Sequence, residues 1–376
     1  MTLRERILAV YRGDTPDVTP FMLDLSHWFY HRRRMPWDLS RSYDQPEREL
    51  IDYHKKMGVG FYVPNLGSFF EVAYGDGRSG RDVQATVHKS ADGNAITWEF
   101  ETPLGTIRRT RTWEEQTYAW AIPAWGIRTE QGLRALGCAL AARSYTPRWD
   151  RYQAWVDYVG DTGVVYLSAG YSAMGHLLSY WLGIEGTVYA TVDWHDTMRE
   201  VVDQVNANNL EFIDLLAQSP AEIVIMGDNF SSDVQPPYFF DEWSKAYYAE
   251  AIRRLHDAGK CVAVHIDGRL RGALGMFRAL EIDCADAVTP TPMGDLTPEQ
   301  CRDEAGPAMI LSGGVSPDLW LPEADLGQFK AAVLRWLKLK EQGPRLIANA
   351  GDQVPPGALE DRIELMRDLV EQHGRY

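Results

Sequence analysis

Eight short β-rich runs recur along the chain, and most are followed by a stretch of helical periodicity. That alternation constrains the fold more than any other feature. The runs are Pro20 to Asp24, Gly60 to Asn65, Val164 to Ala169, Ile223 to Asp228, Cys261 to Asp267, Ala285 to Thr289, Ala308 to Ser312 and Arg345 to Asn349. Among them, Glu47 to Met57, Asp196 to Leu216, Phe240 to Ala258, Thr297 to Glu304, Phe329 to Lys340 and Leu359 to His373 carry apolar residues three and four apart, the spacing of an amphipathic helix. A further short helix, Leu3 to Tyr11, stops ahead of Gly13. Strand and helix alternating at this count predict the α/β class, and within it a (β/α)8 TIM barrel rather than an open doubly wound sheet. One such barrel accounts for residues 1–376 as a single domain.

Residues 66–160 are too many for an ordinary connection. Within them Asp82 to Ser90, Ala95 to Glu101 and Gly105 to Trp113 alternate or are rich in β-formers, with Asp92-Gly93-Asn94 and Thr102-Pro103-Leu104-Gly105 as turns. The expectation is an antiparallel β-meander with a helical stretch, inserted after strand two as a cap over the barrel mouth.

A net charge of −15 argues against nucleic acid or an anionic membrane surface as a partner, because the dominant electrostatic term would be repulsive. No leader-like or membrane-length apolar run is present, which predicts a cytoplasmic protein. Cys138, Cys261, Cys284 and Cys301 have no CxxC spacing and read as reduced, packed thiols. Thirteen Trp and 18 Tyr fit core packing or an aromatic-rich pocket. No GxGxxG or GxxxxGK follows any strand, which removes the usual nucleotide signatures.

In a barrel, chemistry belongs to the carboxyl ends of the strands. Cys261-Val262-Ala263-Val264-His265-Ile266-Asp267-Gly268 reads as a buried strand that delivers His265 and Asp267, two apart, to one face at such an end. With Asp352 from strand eight they offer one nitrogen and two carboxylates to a divalent metal. Three protein ligands suit catalytic zinc, and the same donors suit iron, manganese or cobalt. The alternative is structural: His265 bonded to a backbone carbonyl, and Asp267 paired with Arg269 or Arg271. Asp228, beside His265 in strand order, is a candidate catalytic group. His27, Asn65, Tyr171, Asn229 and Thr289 are candidates for substrate binding. The run His31-Arg32-Arg33-Arg34 either grips a substrate carboxylate or is a solvated surface.

Several motifs together resemble the uroporphyrinogen decarboxylase superfamily. They are Arg4-Glu5-Arg6-Ile7-Leu8-Ala9 with Gly13-Asp14-Thr15-Pro16-Asp17-Val18-Thr19-Pro20, the strand end Gly227-Asp228-Asn229, Leu255-His256-Asp257-Ala258-Gly259 leading to His265-Ile266-Asp267-Gly268, and Pro355-Pro356 before the last helix. Where the tetrapyrrole decarboxylases of that superfamily carry an arginine-rich motif, this chain reads Leu23-Asp24-Leu25-Ser26-His27-Trp28-Phe29-Tyr30. It is more similar to the cobalamin-dependent methyltransferase branch, whose zinc is held by His-x-Cys-Gly and a later Gly-Cys-Gly. Those positions are His265-Ile266-Asp267-Gly268 and Gly351-Asp352-Gln353 here, so both cysteines are aspartates. A carboxylate-rich set leaves a harder ion, suited to an oxygen or nitrogen leaving group. The resemblance therefore implies transfer of a methyl group from a small methoxy or methylamine compound to the cobalt of a separate corrinoid protein. A homodimer follows by analogy. The alternative is a metal-independent lyase acting on a carboxylated small molecule.

Overall fold

The computed structural model describes residues 1–40, 43–62, 69–75 and 82–376. In chain order its strands are β1 (Phe70–Tyr74), β2 (Gln84–Lys89), β3 (Ala95–Thr102), β4 (Gly105–Glu114), β5 (Ala119–Ala121), β6 (Arg143–Pro147), β7 (Leu167–Ser168), β8 (Ile223–Phe230), β9 (Cys261–Ile266), β10 (Cys284–Val288), β11 (Ile310–Val315) and β12 (Leu346–Ala350). Strands β7 to β12 form one parallel six-stranded sheet in sequential order. Each return is made by helix: Ala273–Ala279 between β9 and β10, Pro298–Ala305 between β10 and β11, Leu326–Lys338 between β11 and β12. Every residue of β10, β11 and β12 is buried, as expected of parallel strands covered on both faces.

Backbone contacts continue from both edges of this sheet. Ala348 bridges Phe21, Met22 bridges Gly60, and Phe61 bridges Gly163, all in parallel sense. The Ala348 amide donates to Pro20 O at 2.8 Å, and the Val164 amide to Phe61 O at 2.9 Å. A Cβ at position 163 would stand 1.8 Å from the Phe61 carbonyl oxygen, so this approach requires glycine. Only Leu167–Ser168 of the expected Val164 to Ala169 run is paired as a strand, and the 20–24 and 60–62 segments make single bridges rather than ladders.

Strands β2 to β5 make a separate four-stranded antiparallel sheet in the order β2-β3-β4-β5, with Trp98 opposite Arg109 and Ile96 opposite Arg111. Strands β1 and β6 pair with each other, antiparallel, Phe70 opposite Pro147. Helices Glu130–Ala141 and Trp149–Val159 supply the helical stretch. The expected helix Phe240 to Ala258 is two helices, Pro237–Trp243 and Lys245–Asp257. They part at Ser244, whose buried hydroxyl donates to Gln235 Oε1 at 2.6 Å. None of the four cysteines forms a disulfide. Among the described residues no helix is long and apolar enough to cross a membrane.

Candidate active site

Successive residues of a strand point to opposite faces, and the parallel strands use both. Met22, Val164, Tyr166, Ile223, Ile225, Ala263, Cys284, Ile310 and Ile347 pack into one apolar cluster. Their neighbours Leu23, Val165, Val224, Val264, Ala285, Leu311 and Ala348 pack into another, against the helices. Two residues beyond the first set stand Asp24, Ser168, Gly227, His265, Asp286, Ser312 and Asn349. One face thus turns from apolar to polar at the carboxyl ends of the strands. A cavity of about 740 Å³ opens there, with Asp24, Ser168, His265, Asp267, Asp286 and Asp352 among its lining.

At its floor His265 is held from both sides. The parallel register sets Asp286 beside His265, and His265 Nδ1 lies 3.1 Å from Asp286 Oδ2. On the other side Nε2 lies 3.7 Å from Asp352 Oδ1. Asp286 is 2% exposed and also accepts from Ser312 Oγ at 3.2 Å. Asn349 Nδ2 in turn donates to Ser312 Oγ at 3.2 Å and to the Tyr62 hydroxyl at 3.3 Å. Burial alone would lower the pKa of His265. The Asp286 hydrogen bond and the charges of Asp352, Asp286 and Asp267 outweigh it and raise the value to about 9. Burial raises the Asp352 carboxyl to about 6; the His265 charge opposes this, and those of Asp267 and Asp24 add to it. The pair titrates together.

Asp286 is missing from the sequence-based candidates, although the two-residue period from Cys284 points to it. The chain leaves the ladder directly after it: Ala287 has φ +64, and the β10–β11 register shifts between Ala285 and Val288. A bulge of this kind re-aims the side chains beside it.

The other predicted residues divide. Asp267 and Asp352 line the cavity. Arg271 approaches Asp295 rather than Asp267, at 4.0 Å. Among the described residues no three His, Cys, Asp or Glu side chains are grouped so that they could hold a metal ion. Of the expected ligands, then, only His265 and Asp352 face each other at short range, and what these groups support by themselves is proton transfer. His27 lines the cavity and its Nε2 donates to Tyr118 O at 2.9 Å. Burial lowers its pKa, which favours the neutral ring. Tyr171 and Asn229 line the cavity, hydroxyl to Oδ1 at 3.5 Å. Asn65 lies outside the described residues.

Asp228, expected to be catalytic, does not line this cavity. It faces the helix side, where its Oδ1 accepts from the Ser172 amide at 2.6 Å and its Oδ2 from the Ser172 hydroxyl and from Tyr248 at 2.8 Å. It is a buried anchor for the Ser172 turn. Thr289 is also buried, donating to Ala287 O at 3.3 Å and packing beneath Gly351. The run after strand one closes the helix Ser26–Arg33 on the outside, with Arg32 paired to Glu360, Arg33 to Glu49 and Arg34 to Glu115.

The cations that do face inward lie elsewhere. A second compartment of about 570 Å³ adjoins the first and shares Arg111, Ser168, Tyr171, Tyr180 and Ile225 with it. Arg109, Arg111 and Arg143 line it. The sequence reading passed over all three.

A parallel α/β sheet with a polar, acid-lined cavity at the carboxyl ends of its strands has the layout of an enzyme. The family model for uroporphyrinogen decarboxylase (URO-D) matches residues 162–373, more than half of the chain, and the chain belongs to that family. A methyltransferase from Methanosarcina mazei has a similar fold, with a TM-score of 0.61 at 12% identity over 99% of each chain. No curated protein matches the chain.

Proposed function

We propose that this chain is a methyltransferase that moves a methyl group from a small methoxy or methylamine compound to the cobalt of a corrinoid carried by a separate protein. The observation that carries the reading is His265, held between Asp286 and Asp352 at the floor of the cavity. With its pKa raised to about 9 it is an imidazolium at neutral pH. Family membership and the likeness in fold to a methyltransferase support the assignment. The corrinoid would supply the nucleophile that takes the methyl group.

The chain's own part is to hold the donor and supply a proton. Asp286 fixes Nδ1–H, so Nε2–H is the donor toward the cavity. As the carbon–heteroatom bond breaks, its electron pair stays on oxygen or nitrogen, and the Nε2 proton neutralises it. Asp352 keeps the imidazolium charged until then. Neutral His27 accepts from the substrate, and Tyr171 and Asn229 flank it. We read the bridges at Phe21, Gly60 and Gly163 as the closure of an eight-stranded barrel, with the sheet of β2 to β5 as an inserted cap. The test is loss of Co(I) absorbance when reduced cobalamin meets a methoxy or methylamine donor. Wild-type protein should accelerate it, and His265→Gln should lose about 10² to 10⁴ of that acceleration. An undiminished H265Q would overturn the assignment of the acid.

The second reading, a metal-independent lyase on a carboxylated small molecule, is favoured by the decarboxylase family and by the arginine compartment. The same imidazolium would then protonate the carbon that carbon dioxide leaves.

A further inference from the structure

We propose that the compartment walled by Arg109, Arg111 and Arg143 binds the carboxylate of an aryl carboxylate, whose ring lies among the aromatic side chains of that compartment. The inference deepens the reading above and rests on it only in naming this ligand as substrate.

Arg109 and Arg111 are two apart on β4 and so share a face. The Arg109 guanidinium lies 4.7 Å from the Trp98 ring centroid, 4.7 Å from Tyr180 and 5.4 Å from Trp181, and that of Arg111 lies 4.8 Å from Tyr180. Stacking orients the planar cations but leaves their N–H groups unsatisfied. The Nε atoms of both are buried without a hydrogen-bond partner among the described residues. Arg143 is positioned differently: Nε donates to Leu140 O at 2.7 Å and Nη2 to Asn209 Oδ1 at 2.8 Å, while Nη1 lies 3.2 Å from His176 Nε2. None of the partners that hold it is an acid.

Three inward-facing cations are conspicuous in a chain of net charge −15, whose outer arginines are paired with carboxylates. Burying guanidinium groups without counter-charge is costly, and burial with the neighbouring Arg111 already lowers the Arg109 pKa to about 10. His176 is held neutral by burial and by Arg143 and Arg109, so it adds no further cation. The fork of a guanidinium matches a carboxylate two bonds at a time. The remaining walls are flat and apolar: Phe70, Tyr74, Trp98, Phe100, Tyr145 and Phe212. A ring bearing one anionic group satisfies both parts. Because Arg111, Tyr171 and Tyr180 belong to both compartments, the far end of such a ligand is directed toward the cavity of His265.

The test is calorimetric binding of benzoate, benzamide and phenyl phosphate to the full chain, with neither corrinoid nor methyl donor present. Benzoate should bind at least about tenfold more tightly than benzamide, and Arg109→Gln and Arg111→Gln should each weaken it about 10- to 100-fold. Arg111→Lys, which keeps charge but not the fork, should fall between. Equal binding of benzoate and benzamide by wild-type protein would overturn the proposal without reference to any variant. Tighter binding of phenyl phosphate would overturn the choice of carboxylate. His265→Gln should keep benzoate affinity within about twofold, so loss of methyl transfer with binding intact bears on the function alone. Methyl transfer with benzoate binding absent would sink the present inference alone.

Discussion

Replacing Asp286 by Asn removes one charge and keeps the shape, because the amide oxygen can still accept from His265 Nδ1. Asp286 is 2% exposed and stands 3.1 Å from that nitrogen, so solvent screens the pair little. Opposite charges about 4 Å apart at an effective dielectric of about 20 attract by about 4 kcal/mol, about a thousandfold in proton affinity. Losing that much would take the His265 midpoint from about 9 to about 6. The assay is a pH titration of the imidazole nitrogens by long-range ¹H–¹⁵N NMR, assigned with H265Q. The alkaline limb of the rate profile should move down with it. Stability has a definite sign as well. The folded pKa of His265 is above its unfolded value of 6.5, so its contribution is fully present below pH 6.5 and is lost as pH rises through about 9. The gap between wild type and Asp286→Asn should therefore be widest below about pH 6, at roughly 4 kcal/mol, and should narrow toward the alkaline side. A wild-type midpoint near 6.5, or one that Asp286→Asn leaves in place, would refute the reasoning.

Arg32→Ala should leave benzoate binding and turnover unchanged and alter stability by less than about 1 kcal/mol, because Arg32 is half exposed and paired to Glu360 on the outer surface. A tenfold loss of benzoate affinity would return the anion site to that run. Gly351→Ala would set a Cβ 2.5 Å from Thr289 Oγ1, beside Asp352. Overpacking there should cost about 1 to 3 kcal/mol in urea unfolding and lower the His265 midpoint, and an unchanged unfolding curve would contradict the close packing.

The strands β8 to β12 and the helices Pro298–Ala305 and Leu326–Lys338 were legible because each carries its own period in a continuous stretch, whereas the seven-residue helix Ala273–Ala279 is too short to show one. Strands β2 to β4 of the antiparallel sheet were legible from their turns, but the three-residue β5 was not. Pairing of β1 with β6 was not, since it joins residues 70–74 to residues 143–147 without a local turn signal. His265 stood out because the apolar run before it ends on a polar pair. Asp286 did not, because β-rich residues continue to Thr289 and hide the bulge at Ala287. Arg109 and Arg111 alternate with threonines and read as a solvated strand face. Their enclosure comes from Tyr180 and Trp181, some 70 positions along the chain, which local periodicity cannot reveal. Asp228 shows the reverse error: a strand-end acid looks catalytic until its partners, Ser172 and Tyr248, are known.

A methoxybenzoate labelled with ¹³C in both its methoxy and carboxyl carbons offers the most direct measurement. With wild-type protein and reduced cobalamin, the account predicts that the methyl label moves to the corrinoid, the carboxyl label stays on the ring, and H265Q abolishes the transfer. Labelled carbon dioxide with the methoxy group intact would contradict methyl transfer and establish the lyase instead.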